Sequence, residues 1–433
     1  MAKPPTPFAF RDFRFYLLSR FSTMLAQNSM VVVIGWQVYD IARDPLKGAM
    51  GVRDAAFQLG LVGLIQFVPL AALTLVTGWT ADRLDRRIIV RLTVSLEALC
   101  AAILAWHSWH GTATLPWMFF VAALLGVARA FAGPAYSALA PNLVPAPVLP
   151  QAIAVSSVAW QTGAIIGPAM GGYLYAIDHW VPYTVSMVLC LASVVMLSMI
   201  GPVPRAVLDR TVHPVRQMIE GLHYVRRNRL VLGAISLDLF AVLLGGATAM
   251  LPIYARDVLH VGAEGLGHLR GAPAIGSAAC AIWFSFRPLK NDVGVKMLAA
   301  VVVFGLSTII FGLSTSLPLS LAALALLGAA DMVSVYVRQS LIQLHTPDAM
   351  RGRVGAVSGL FISGSNELGE AESGVMAALL GPVVAVVVGG IGAIGVTLLW
   401  ARIFPELRRA RTFDPPEQVP ETLEDVPGQE IRT

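Results

Sequence analysis

Charge is what this sequence has least of. Asp, Glu, Lys and Arg supply 13% of its 433 residues, about half the share found in soluble domains. Too few charges remain to coat a water-facing surface. Cysteine is scarce as well. Cys100, Cys190 and Cys280 lie far apart, each inside an apolar run, which excludes a disulfide scaffold and reads as inert packing. The eight histidines are scattered, without an H-x-x-x-H or a Cys-rich run, so no metal site and no cofactor are expected. A nucleophile–base pair and a phosphate loop are also lacking, which argues against an enzyme. What abounds is apolar: 56% of residues, with a mean hydropathy of +0.70. The chain reads as an integral membrane protein. Its pI near 9.3 reflects charge gathered on one side of a bilayer rather than affinity for nucleic acid.

A hydrocarbon core about 30 Å thick takes roughly 20 apolar helical residues per crossing. Twelve stretches qualify: 15–40, 58–79, 88–108, 115–137, 150–176, 181–200, 231–254, 266–286, 295–314, 318–342, 354–380 and 383–404. With both termini cytoplasmic, 24 of the 31 basic residues fall inside and five (Arg43, Lys47, Arg53, Arg256, Arg270) outside, leaving Arg129 and Arg338 within the membrane. The positive-inside rule therefore sets that orientation, in a multi-pass cell membrane protein, expected in a bacterial inner membrane. Residues 1–200 and 231–404 read as two six-helix halves. The connection 201–230 carries Val215, Met218, Ile219, Leu222 and Val225 on one helical face, an amphipathic helix expected to lie along the cytoplasmic interface. Residues 405–433 hold five prolines and many acids and read as a disordered tail.

Shifting the chain by 202 positions places Leu124-Leu125-Gly126 on Leu326-Leu327-Gly328, Ala154-Val155-Ser156 on Ala356-Val357-Ser358, and Gly167 and Gly172 on Gly369 and Gly374. Segments four and five thus repeat as ten and eleven. Parallel repeats place a binding site between the halves near the membrane midplane.

Several motifs carry chemistry. Gly78-Trp79-Thr80-Ala81-Asp82-Arg83-Leu84-Asp85-Arg86-Arg87 follows segment two. Segment four carries Arg129, then Gly133-Pro134; segment five carries Gly163, Gly167-Pro168 and Gly171-Gly172. These resemble the loop signature, the intramembrane arginine motif and the exporter glycine-proline motif of the major facilitator superfamily. Asp238 and Thr346-Pro347-Asp348-Ala349-Met350-Arg351-Gly352-Arg353 are similar to the enterobactin-exporter branch. Asp85 replaces a glycine of the general signature, although that branch often has an acid there. The resemblance implies an all-α membrane protein of twelve helices in two pseudo-symmetric bundles, working by alternating access. On physical grounds Asp82 and Asp85, facing the start of segment eleven, form with Arg83, Arg86, Arg87, Arg351 and Arg353 a cytoplasmic latch. Glycines spaced by four let a helix approach closely, whether as exporter signature or as ordinary packing, and Pro168 should bend the span.

Eight ionisable residues sit inside the membrane: Glu97, Arg129, Asp238, Asp331, Arg338, Glu367, Glu370 and Glu372. Such residues mark pathways or relays. Six acids against two arginines leave at least four without an internal partner. Glu97 fits a protonated, hydrogen-bonded packing role, and Asp238 either functions or pairs with a cytoplasmic arginine. Arg129 and Asp331 occupy equivalent places in the repeat. They are expected to clamp substrate or pair with each other, with Arg338 about 10 Å along the same face and Gln27 and Asn28 in the same cavity. Glu367 and Glu370 stand one turn apart on a face shared with Ser363, Asn366 and Gly374. Repulsion and desolvation favour their holding a proton as a coupled pair.

The expected function is secondary transport: a monomeric, proton-coupled exporter of a small amphipathic molecule, siderophore-like or drug-like. Divalent metal efflux is the alternative carrier reading. A membrane enzyme or a receptor is the alternative of another class.

Overall fold

The computed structural model describes residues 6–47, 49–83, 85–139, 142–202, 214–287, 289 and 291–413. Fifteen helices run in order: α1 (Arg11–Ala42), α2 (Val52–Arg83), α3 (Arg86–Trp109), α4 (Leu115–Leu139), α5 (Leu149–Ile177), α6 (Val181–Ser198), α7 (Pro214–Arg227), α8 (Arg229–Leu244), α9 (Leu251–Ile253), α10 (Gly262–Phe286), α11 (Val293–Leu313), α12 (Leu317–Leu344), α13 (Asp348–Leu380), α14 (Pro382–Ile403) and α15 (Pro405–Arg409). Among the described residues ten helical spans are long and apolar enough to cross a membrane. The exceptions, α10 and α13, match them in length but carry more polar residues. Glu264, His268 and Arg270 lie in α10, and Arg351, Arg353, Glu367, Glu370 and Glu372 in α13. Both helices face the opposite half, α13 against α2 and α10 against α5.

Within the first half α1 packs on α5 and α6, while α3 and α2 pack on α4. In the second, α12 packs on α10 and α11, and α14 on α11 and α8. Two helix pairs join the halves, α2 with α13 and α5 with α10. The repeat is visible in the packing. Gly126 of the fourth span admits the backbone of Gln66 from the second, and Gly328 of the tenth admits Pro273 from the eighth.

Two expectations are corrected. The seventh segment, read as continuous over 231–254, stops at Gly245 and resumes as a tight turn over Ala247–Met250, then α9, then a wide turn to Val258. Gly245 and Gly246 favour leaving the helix, and Gly246 meets Gly369 and Ser373 of α13. The tail is not disordered throughout: Leu407 of α15 is fully buried, and Gly294 N–H donates to Ala410 O at 3.0 Å. Residues 414–433 lie outside the described set. Helix α7 buries part of its apolar face against the C-terminal half and leaves the rest for the interface. Val225 is buried and Met218 and Tyr224 pack with Val231, Ile342 and Val354, while Ile219 and Leu222 stay exposed.

Candidate functional site

The two halves exchange charge in the middle of the molecule. Arg129 projects from α4, which lies close on α2, and its Nη1 sits 2.7 Å from Glu367 Oε1 of α13. The same nitrogen donates to Gln66 Oε1 of α2 at 3.0 Å. Glu367 is 6% exposed, whereas Arg129 keeps part of its surface open, so this is a half-sheltered pair bridging the halves. Helix α2 can touch α13 here because Gly63 has no side chain; a Cβ on it would fall 2.8 Å from Glu370 Cβ. Glu370 is within electrostatic reach of Glu367, Arg270 and Arg129. The centre therefore holds two carboxylates and two guanidiniums on three helices, α4, α10 and α13, with the Gln66 amide added from α2. Of the face expected around the glutamates, Asn366 is exposed instead, and the Ser363 side chain lies outside the described set.

Two of these residues escaped sequence reasoning. Arg270 was assigned to the outside, yet it lies in the third turn of α10, half-buried, with its Nε lacking a partner. Gln66 went unremarked. A lone amide between Ile65 and Phe67 was the available signal.

A second cluster occupies the C-terminal half. Asp238 of α8 pairs with Arg338 of α12, both largely buried. Asp238, Asp331 and Ser334 line a cavity of about 10 Å³ beside Phe304, room for one water. Arg129 and Asp331 form no ion pair among the described residues. Symmetry-equivalent positions in the repeat did not become neighbours: Arg129 reaches Glu367 of α13 instead, and Asp331 lines the cavity with Asp238.

Gln27 and Asn28, expected in the cavity, are engaged inside the first half. Gln27 Nε2 donates to Glu97 Oε1 at 2.5 Å, and Asn28 Nδ2 donates to Met24 O at 2.8 Å. Glu97 is fully buried with Oε2 unpartnered. Gly163, Gly167 and Gly171 of α5 press on Met24, Asn28 and Ser29 of α1, beside the buried Pro168, whereas Gly172 turns to Gly267 of α10. Among the described residues no three potential metal ligands converge.

The described members of the expected latch lie at the end of the bundle that holds residues 11 and 403, the basic end. Asp85 caps α3, accepting from Arg87 N at 2.9 Å, and is bound by the Arg87 guanidinium at 2.7 Å. That contact holds its carboxyl below the ordinary range. Arg87 also donates to Ile200 O, and Arg86 opens α3. Arg353 pairs with Glu220 of α7 at 2.7 Å, and Arg351 Nε donates to Gln343 O at 2.9 Å. Gly78, Asp82 and Arg83 end α2, and their side chains lie outside the described set.

The far end is shut instead. Asp40 pairs with Arg256, Arg43 lies 3.6 Å from Asp257, and Tyr39 donates its hydroxyl to Asp257. A Cβ on Gly60 of α2 would fall 2.7 Å from Gly374 Cα, and one on Gly172 would fall 2.7 Å from Gly267 Cα. Tyr173 also meets His268 there. At the basic end, by contrast, Gly133, Gly352, Gly355 and Gly359 have open space beside them. Among the described residues the halves are locked at the far end, and these glycines leave open space at the basic end.

The comparisons with known proteins agree with this architecture. The family profile described as Major Facilitator Superfamily matches residues 16–369. The enterobactin exporter EntS of Citrobacter koseri is 26% identical over 427 residues, spanning 93% of this chain and 94% of its own length. The enterobactin exporter EntS of Escherichia coli O1:K1 / APEC is 25% identical over 425 residues, with the same coverage. Among solved structures, a bacterial homologue of the human lysosomal transporter Spinster, inward-facing and occupied, superimposes with a TM-score of 0.70 at 14% identity, covering 92% of this chain and 97% of that one. A D-xylose-proton symporter gives 0.70 at 12%, covering 91% and 98%. Twelve spanning helices in two halves, joined by a charge network and shut at one end, are the fold of a membrane transporter and not of an enzyme: the chain belongs to the major facilitator superfamily.

Proposed function

We propose that this transporter exports a small amphipathic molecule, siderophore-like or drug-like, in exchange for protons. It would work as a monomer in a bacterial inner membrane with its basic end in the cytoplasm. Two lines support export: the glycine-proline run of α5, and relatives named as enterobactin exporters at 25–26% identity. Those relatives give no support to metal efflux. The positive-inside count supports the orientation, which makes the described conformation the one open to the cytoplasm.

The single observation behind proton coupling is the Arg129–Glu367 pair with Glu370 one turn away. With the basic end open, Glu367 holds Arg129. Once the far end opens, a proton taken onto the glutamate pair cancels the charge that ties α13 to α4. An ion pair between the halves thus becomes sensitive to which side supplies protons. In proteoliposomes with an imposed pH gradient, Glu367→Gln and Glu370→Gln should each lose uphill accumulation while keeping substrate exchange at equilibrium. If both variants still concentrate substrate on a pH difference alone, the proton site lies elsewhere, and the Asp238–Asp331 cavity becomes the next candidate.

A further inference from the structure

The seventh span is anchored on one side of its break and locked on the other. Before Gly245, Asp238 of α8 pairs with Arg338 of α12, both largely buried. After it, Arg256 and Asp257 hold the far end shut. A third charged residue stands beside the anchor. Asp331 lies two turns before Arg338 on α12 and lines the cavity of about 10 Å³ together with Asp238 and Ser334. Its carboxylate makes no hydrogen bond or ion pair among the described residues. The rest of the wall is apolar, from α8, α11 and Ala330, and offers it no partner.

One guanidinium thus serves two carboxylates. With both acids ionised the cluster would carry net negative charge inside the membrane, which is costly. The other charged groups on helices packed against α12 sit elsewhere. Arg229 opens α8 and Lys296 lies in the first turn of α11, both exposed at the basic end. Glu264, His268 and Arg270 occupy the first three turns of α10, toward the far end, and Cys280 of α10 does not line the cavity. Tyr336 of α12 turns to Phe284 and Phe413. Seven helical residues span about 10 Å, and a long side chain leans back toward the helix N-terminus, so an ionised Asp331 competes with Asp238 for Arg338. Ser334 supplies an independent signal. It is 6% exposed and lines the cavity, yet its hydroxyl has no hydrogen-bond partner among the described residues. Leaving a buried hydroxyl unpaired is costly. The cavity suits one water, which needs two to four polar partners, and Asp238, Asp331 and Ser334 supply three.

We propose that Asp331 is a proton-binding site separate from Glu367 and Glu370, and that its proton leaves Arg338 to Asp238, tying α8 to α12. A carboxylate oxygen of Asp331 gains a proton from solvent, and the cluster loses one negative charge. Such linkage is reciprocal: whatever frees Arg338 from Asp238 weakens proton binding at Asp331 by the same factor that the proton strengthens the tie. The tie holds the helix whose continuation carries the far-end lock, so the proton acts on the hinge at Gly245 and Gly246. The site stands whether or not the glutamate pair carries the transported proton.

The test is infrared difference spectroscopy of the full chain in phosphatidylcholine nanodiscs, between pH 5 and pH 9, in water and in deuterium oxide. A protonated carboxyl shows a carbonyl band that shifts on deuteration. Part of that band should vanish in Asp331→Asn and persist in Glu367→Gln with Glu370→Gln. Asp238→Asn leaves Asp331 in place and frees Arg338 for it. That variant should move the titration of the Asp331 band to lower pH by about one unit or more, a tenfold loss of proton affinity. It also keeps the proposal testable should Asp331→Asn fail to fold. A spectrum unchanged by Asp331→Asn overturns the proposal, as does a titration that Asp238→Asn leaves in place. Loss of the whole band in Glu367→Gln with Glu370→Gln would assign the proton to the central pair alone and also overturn it. So would a titration that moves when sodium replaces choline as the salt cation, which would mark the cavity as a metal-cation site. No gradient is imposed and no substrate is present, so this result and the loss of pH-driven accumulation in liposomes are separate.

Discussion

Arg129 Nη1 lies 2.7 Å from Glu367 Oε1, so the fourth and eleventh spans, one from each half, are tied by an ion pair. Arg129 is the more exposed partner, at 38% against 7% for the side chains. The pair therefore keeps one foot in the open vestibule. Removing one member of a buried pair costs about 3–5 kcal/mol, and the exposure of Arg129 places this one below that range.

Neutralising the pair should expose its coupling. Arg129→Gln and Glu367→Gln are each expected to lower transport at least tenfold. The double variant should be no worse than either single, since the second change removes an already orphaned group. Initial rates of transport, with thermal unfolding of each purified variant, check this. Additive losses would show that the two side chains act independently.

The far-end pairs should set the balance between the two open states. Asp40–Arg256 and Arg43–Asp257 are about a quarter to a third exposed, and pairs of that kind contribute roughly 0.2–1 kcal/mol each. Asp40→Asn with Asp257→Asn should shift the population open at the far end by about two- to thirtyfold. Distances between spin labels at Leu46 and Leu313, both exposed, would report it, and high salt should mimic it in the unmodified chain.

Glycine contacts at the far end permit closure by backbone approach alone. A Cβ on Gly172 would lie 2.7 Å from Gly267 Cα and 2.8 Å from Ala263 O, and backbone cannot yield as a flexible side chain does. Gly172→Val should hold the far end open at a cost of about 1–3 kcal/mol to the closed state. Far-end cysteines should then react faster. Unchanged labelling would mean that α5 and α10 can slide past each other.

Asp85 should act as a helix cap with a defined pH dependence. Its carboxyl is held low by the hydrogen bonds from Arg87, so its contribution is present above the unfolded-chain value near 3.9 and is lost as pH falls through the folded value. Asp85→Ala should cost about 0.5–2 kcal/mol, with the deficit shrinking below pH 4. Asp85→Asn keeps the cap but not the ion pair and should fall between. Unfolding midpoints across pH 3–7 measure all three.

Span count, the repeat and the family were legible in the sequence because each rests on local or additive properties. Twenty apolar residues must be helical in lipid wherever they fall, and a glycine spaced by four marks a close contact before its partner is known. The acids and arginines of the site were legible too, since a charge in an apolar run is conspicuous on its own. Pairing was not. Arg129 had six intramembrane acids to choose from, and only the tertiary structure brought it to Glu367 and left Asp331 beside Asp238. Arg270 looked external because apolar periodicity alone does not fix how deep a helix sits. Gln27 turned to Glu97, and Leu407 drew its segment onto α11, through contacts between residues far apart in the chain. Composition and periodicity determined which residues had to leave water and which would resist doing so. Tertiary structure alone decided which charges met, because an ion pair depends on a few ångströms of separation that sequence distance does not encode.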